Sequence, residues 1–237
     1  MRHILIPVLI CLLALFSHCG DDEPNSGVEN ESSTFASCNN MLTACSGGNG
    51  PYCLFGFKWG ATNPIPAAGF SATGPQEAAG TLTYSFQEEN DVVNTHAQVN
   101  VDSETFELLP ACAKDEIRAA LRAWSVEANL EFEEQGDNSE TDLKFYVANI
   151  RQSGVGYPNY PEAPCNALAG HVIIETDLSL RSCDELRNFF MHEIGHVLGL
   201  GHVSSPNIMN SSYSVFRDLE GLQEGDIQGI RQLYGVK

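Results

Sequence analysis

Histidines at 192, 196 and 202, with a glycine at 199, constrain this chain more than any other feature, because they fix where one helix must run and where it must stop. The stretch reads His192-Glu193-Ile194-Gly195-His196-Val197-Leu198-Gly199-Leu200-Gly201-His202. Upstream, Ser182 stands at an N-cap position with Glu185 three residues later, the spacing of a capping box. Asp184 and Glu185 put negative charge in the first turn, where the helix dipole favours it. Leu186, Phe189, Phe190, Ile194, Val197 and Leu198 leave few polar positions, so the helix is expected to be buried on most sides. His192 and His196 leave one face a turn apart, and ring nitrogens so placed can reach one zinc ion at about 2.0–2.1 Å. His202 cannot join them on a continuing helix, since six more residues rotate it roughly 240° and carry it about 9 Å along the axis. Gly199 tolerates the left-handed conformation that ends a helix, which lets the chain turn and bring His202 back.

Three neutral histidines leave one coordination position of a zinc ion for water, the arrangement of a catalytic rather than a structural site. A structural zinc closes with four protein ligands, often cysteines, and no fourth ligand is evident here. Glu193, next to the first ligand, is placed to take a proton from that water and return it to a leaving amine.

Residues 1–18 read as a signal peptide: Arg2 and His3 precede an apolar run from Ile4 to Phe16, too short for a membrane span. Cys19 follows, with the polar Asp21-Asp22-Glu23-Pro24 behind it. A cysteine there resembles the lipobox of bacterial lipoproteins, although His18 stands where a small residue is usual. An ordinary cleaved signal is the other reading, and either implies export. Cys11 leaves with the signal and Cys19 would carry lipid, so Cys38, Cys45, Cys53, Cys112, Cys165 and Cys183 remain, an even set suited to three disulfides in an oxidising compartment. Cys165 with Cys183 is the pairing preferred, and a small disulfide loop is expected around Cys38 to Cys53. The formal charge of −19 becomes about −20 once Arg2 leaves with the signal. Such a chain repels nucleic acid and anionic membrane surfaces, so any membrane link is the lipid on Cys19.

Residues 19–50, rich in Asn, Ser, Gly, Asp and Glu, read as a flexible tether, and 51–80 as an N-terminal extension opening on the aromatic stretch Tyr52 to Trp59. From 81 to 237 the chain reads as one domain. Strands are expected at Thr81–Phe86, from Leu130, at Leu143–Ala148 and at His171–Thr176, a helix over Ala113–Leu130, a loop over 151–166, and a short strand or hairpin near Val99. That order predicts an α/β fold: a mixed sheet with a first helix and the histidine helix packed on it, ending in a small C-terminal subdomain with a last helix.

These residues carry a family resemblance. The chain resembles the matrixin-like metzincins, a group of zinc endopeptidases, in the strand Leu82-Thr83-Tyr84, in Ala123-Trp124-Ser125 on the first helix, in the full zinc motif, and in the last helix from Asp226 to Gly235. The resemblance implies a substrate cleft between an upper sheet and a lower subdomain, zinc at its floor held by His192, His196 and His202, Glu193 as general base, and Met209 on a turn beneath the metal. The chain also departs from the family. Val203 stands where serine is usual, the Pro206-to-Met209 spacing is one residue short, and Asn210-Ser211-Ser212-Tyr213 replaces a proline-bearing segment. These residues border the specificity pocket, whose wall is the role preferred for Tyr213 over oxyanion support. The segments that hold structural zinc and calcium in vertebrate relatives are missing. His171, Glu175 and Asp177 are the donors available for calcium or a second zinc, and a solvated strand edge is the reading preferred for them. No propeptide cysteine switch is present, and His96 reads as a surface residue. The reading reached is a monomeric, exported zinc-dependent endopeptidase acting on protein or peptide substrates; the alternative is a catalytically weak surface-binding protein that keeps the fold.

Overall fold

A computed structural model describes residues 50–60, 69–70, 78–93, 95, 101–137 and 140–237, together with Cys38 and Cys45. The signal peptide, Cys19, His96, Val99 and most of the 19–50 tether lie outside the described residues. Strand β1 (Cys53–Leu54) pairs antiparallel with β2 (Gly69–Phe70). After β3 (Gly80–Phe86), a hairpin of β4 (Val92–Val93) and β5 (Val101–Asp102) leads to helix α1 (Ala113–Glu127). Then come β6 (Leu130–Glu134), β7 (Leu143–Ala148), β8 (Gly154–Gly156), β9 (His171–Glu175), α2 (Cys183–Val197), the short α3 (Tyr213–Phe216) and α4 (Glu224–Tyr234).

The main sheet has the order β6-β3-β7-β9-β8. Its first four strands are parallel and β8 is antiparallel to β9, so the sheet is mixed, as its sequence predicts. The central strands read as continuous apolar runs because they are buried: Leu143, Phe145, Val147, Val172, Ile173 and Ile174 are all fully enclosed.

Helices α1 and α2 run side by side in the same direction. Cys112 is bonded to Cys183 at their starts, Arg187 reaches Glu116 at 2.6 Å, and the Trp124 indole donates to the carbonyl of Met191 at 3.1 Å. Ile117, Ala120, Leu121 and Trp124 form the inward stripe of α1. The helix ends at Glu127, short of the expected Leu130. Arg231 of α4 takes the Glu127 carbonyl at 3.0 Å, Ala128 is extended, and Leu130 already pairs in the sheet.

Two further expectations are corrected. Residues 154–156, expected to lie in a loop, form edge strand β8. Gly154 and Gly156 hid it, being poor strand formers, yet each is needed. A Cβ on Gly154 would lie 2.4 Å from the Phe189 ring, and one on Gly156 would lie 2.1 Å from the Glu193 carbonyl oxygen. The preferred pairing of Cys165 with Cys183 is also wrong: Cys165 bonds Cys38, Cys183 bonds Cys112, and Cys45 bonds Cys53. Cys165 and Cys183 lie on either side of β9 in the chain, and each is bonded to a cysteine far from it in sequence, 127 and 71 positions away.

His171 opens β9 with its ring against Tyr146, 5.1 Å between centroids, and its Nδ1 buried. Burial, then the charge of Lys144, pushes its pKa down to about 3. The folded chain therefore refuses a proton that the unfolded imidazole accepts below about pH 6.5, and stability present above that pH is lost as pH falls. His171→Phe is expected to remove about 1 kcal/mol of the stability lost between pH 7 and pH 5.5. Urea denaturation of both proteins at the two pH values tests this; equal losses would show that His171 is protonated in the folded state.

Candidate metal centre

The capping box at Ser182 and Glu185 forms as expected: the Glu185 N–H donates to Ser182 Oγ, and the Ser182 N–H donates to the Glu185 carboxylate. The helix continues to Val197, Leu198 caps it, and Gly199 turns the chain at φ +107°. A Cβ there would meet the Phe57 carbonyl oxygen at 2.2 Å, so glycine is required on two counts.

The turn brings the three imidazoles together. His192 Nε2 lies 3.1 Å from His196 Nε2 and 3.2 Å from His202 Nε2, and the remaining pair is 3.1 Å apart. Such spacings suit donors sharing one tetrahedral zinc at bonds of about 2.0–2.1 Å. His192 Nδ1 faces the Ile208 carbonyl at 2.7 Å and His196 Nδ1 faces that of Leu200 at 2.8 Å. With the proton on Nδ1, each Nε2 lone pair points to the common centre. Burial, then His202, pushes His192 down to about 3. Burial and both neighbours hold His196 well below the ordinary imidazole range, and burial lowers His202. All three are therefore neutral near pH 7, the state a metal ligand needs. The donor set fits zinc, and among the described residues these three histidines are the cluster whose ligand atoms converge.

Glu193 is buried beside them, and burial pushes its carboxyl up to about 8 against the Gly156 backbone N–H, which lowers it. A dication held by the neighbouring imidazoles would pull it back toward the carboxylate.

Met209 lies beneath. Its sulfur occupies the space a Cβ on Gly195 would enter, at 2.3 Å, and its carbonyl accepts from Val203 N at 2.9 Å. Asp226 fixes this turn, its carboxylate accepting from the N–H groups of Ile208 and Met209 at 2.9 and 3.1 Å. On the other side, Phe216 stacks flat on His192, 4.6 Å between centroids and 10° between planes. Asn188, one turn before His192, donates to the carbonyls of Phe216, Arg217 and Leu219 at 3.1, 3.0 and 2.7 Å and so pins α3 to the helix. Tyr213 packs edge-on against Phe216 and under the Arg181 guanidinium.

Sequence reasoning had missed Asn188, Gly156, Phe216 and the anchoring role of Asp226. A buried asparagine on an otherwise apolar helix and two glycines bracketing Val155 are the signals that could have found two of them. Of the residues weighed for a second metal, Glu175 is committed to its own turn. Its carboxylate accepts from the N–H groups of Ile150, Arg151 and Thr176 at 2.9, 2.6 and 2.8 Å. Asp177 is exposed on the following turn.

Comparison with known proteins gives a consistent pattern. The family model described as Matrixin matches residues 78–235. Metalloendoproteinase 1 of Glycine max is 29% identical over 184 residues, covering 68% of this chain and 53% of that protein. Interstitial collagenase A of Mus musculus is 32% identical over 154 residues, covering 60% and 32%. Metalloendoproteinase 1-MMP of Arabidopsis thaliana is 31% identical over 170 residues, covering 65% and 43%. The chain thus spans about half the length, or less, of these relatives.

Proposed function

The chain belongs to the matrixin family, and on that premise we propose that it is a zinc-dependent endopeptidase that hydrolyses peptide bonds in proteins. The observation that carries the proposal is the convergence of three neutral Nε2 atoms beside the buried carboxyl of Glu193, under an open sheet edge. A zinc ion held by His192, His196 and His202 would supply Lewis acidity, polarising the scissile carbonyl and making a water acidic near neutral pH.

The chain's own residues supply the rest. Glu193 accepts the proton of the attacking water and passes it to the departing amine nitrogen. The backbone of β8 receives the substrate. Ser153 O and Tyr157 N bond to β9, so by alternation the N–H and C=O of Gly154 and the C=O of Gly156 point away from β9, where an extended peptide can add as a strand, while the Gly156 N–H is held by Glu193. Phe216 and the segment 203–216 face the side chain after the cut. Phe216 covers the face of His192, and its ring is read as the limit on the size of the side chain accepted there. Phe216→Ala is expected to raise kcat/KM by about tenfold or more for peptides with a large apolar residue at that position. Paired peptides differing only there measure it, and an unchanged preference would remove Phe216 from the pocket.

The full chain, purified with its disulfides intact, tests the function itself. It should hold one zinc and cleave casein, and it should lose cleavage to a chelator and regain it with zinc. A folded sample that takes up no zinc overturns the proposal. No observation favours the reading as a non-cleaving binder, for which Glu193 has no use. Three disulfides suit an oxidising compartment and support reading the chain as exported, with Cys19 as the residue that would carry a lipid.

A further inference from the structure

Breaking α2 at Gly199 creates a need that the helix itself cannot meet. A helix end leaves carbonyls without intrahelical donors. Ile194, Gly195 and His196 find theirs in the turn, from the N–H groups of Leu198, Leu200 and Gly199. The next three carbonyls are served from elsewhere. The Trp59 indole donates to Val197 O at 3.0 Å, the Tyr234 hydroxyl to Leu198 O at 2.8 Å, and the Phe55 N–H to Gly199 O at 2.9 Å. In return, the Gly201 N–H donates to Cys53 O at 2.9 Å, and Leu54 bridges Leu200 as an antiparallel strand would. The link between the second and third histidines is therefore laced to residues 53–55.

The same segment touches the ligands directly. The Phe55 ring stacks on His196, 5.6 Å between centroids and 26° between planes. Cys45 packs on Gly201, where a Cβ would come within 2.3 Å of Cys45 Cβ. The segment is held by the Cys45–Cys53 bond, and Cys38 is tied across the molecule to Cys165. None of these N-terminal residues falls within 78–235, the stretch that the family model matches.

We propose that the segment Cys53–Trp59, latched by the Cys45–Cys53 disulfide, is a positioning element of the metal centre: it caps the broken helix, holds residues 199–201 in place, and so keeps His202 in the ligand set. The inference rests on the metal-centre reading above. Groups that orient metal ligands from behind typically change metal affinity by about 10- to 100-fold when lost. The paired substitution Cys45→Ser with Cys53→Ser, made in the full chain, is expected to speed zinc release to a chromogenic chelator by about that factor. It should also alter the visible spectrum of the cobalt-substituted protein. Trp59→Phe, which keeps an aromatic ring but loses the indole donor, is expected to move both in the same direction by less.

The control is the paired substitution Cys112→Ser with Cys183→Ser. It removes a bond of sequence separation 71 at the start of α2, nine residues before His192, or roughly 13 Å of helix. It should lower the unfolding midpoint and leave zinc release and the cobalt spectrum unchanged. Equal release from the wild type and the Cys45/Cys53 variant would overturn the proposal, as would equal acceleration by the control. A wild-type chain that binds no zinc would instead overturn the metal-centre reading, so the two failures are told apart.

Discussion

Glu193→Gln is expected to abolish cleavage while leaving the metal in place. The substitution is nearly isosteric, keeps an oxygen that can accept from the Gly156 N–H, and removes only the capacity to take a proton. Positioned acid–base groups contribute about 10²–10⁴ in rate, so kcat/KM should fall by at least 10². Zinc content should be unchanged, because the proposed ligands are His192, His196 and His202, and the Nδ1 partners of His192 and His196 are the carbonyls of Ile208 and Leu200, not Glu193. Measuring kcat/KM on a fluorogenic peptide, with zinc content on the same sample, decides the matter. A variant that retains a tenth of wild-type activity with full zinc would show that the proton goes elsewhere.

Glu193 and its histidines were legible because short-range rules govern them. A capping box three residues wide, a helical spacing of four and a glycine that stops the helix are all local. The partners of that helix were not. Cys165 bonds a residue 127 positions earlier, and nothing within the sequence ranks that partner above Cys183. β8 has only three residues, two of them glycine, so neither alternation nor propensity marks it. The glycines report a close approach to α2 that exists only once the sheet is assembled. Trp59 and Phe55 read as an aromatic stretch, and their value lies in donors aimed at carbonyls some 140 residues away. α1 shows the same limit at one end, since its inward stripe was plain while its last turn was decided by Arg231 from α4.

Asp226→Ala carries the largest expected loss of stability, and it reaches the metal by a route that sequence could not show. Asp226 is 1% exposed on the first turn of α4. Its carboxylate accepts from the N–H groups of Ile208 and Gln223 at 2.9 and 2.8 Å and from that of Met209 at 3.1 Å. Burial raises its pKa even so, because desolvation outweighs the three donors, which lower it. Alanine leaves the buried N–H groups of Ile208 and Met209 without an acceptor, at about 1–3 kcal/mol each, and removes a weaker bond to the half-buried Gln223 N–H, so about 3–5 kcal/mol is expected. Asp226→Asn keeps one acceptor oxygen but points an amide at a facing donor, and should fall between. The same residue bears on the metal because the Ile208 carbonyl orients His192 through Nδ1 at 2.7 Å. Freeing Ile208 from Asp226 loosens that carbonyl and, with it, the tautomer that points His192 Nε2 inward. Zinc release should therefore quicken beyond what instability alone produces. Ile117→Ala separates the two effects: Ile117 is fully buried on α1, and its truncation removes about 2–5 kcal/mol without touching the turn. Equilibrium unfolding matches the two variants in stability, and a chelator assay then compares them. Faster release from Asp226→Ala at equal stability places Asp226 in the support of the metal, whereas equal release would confine it to folding.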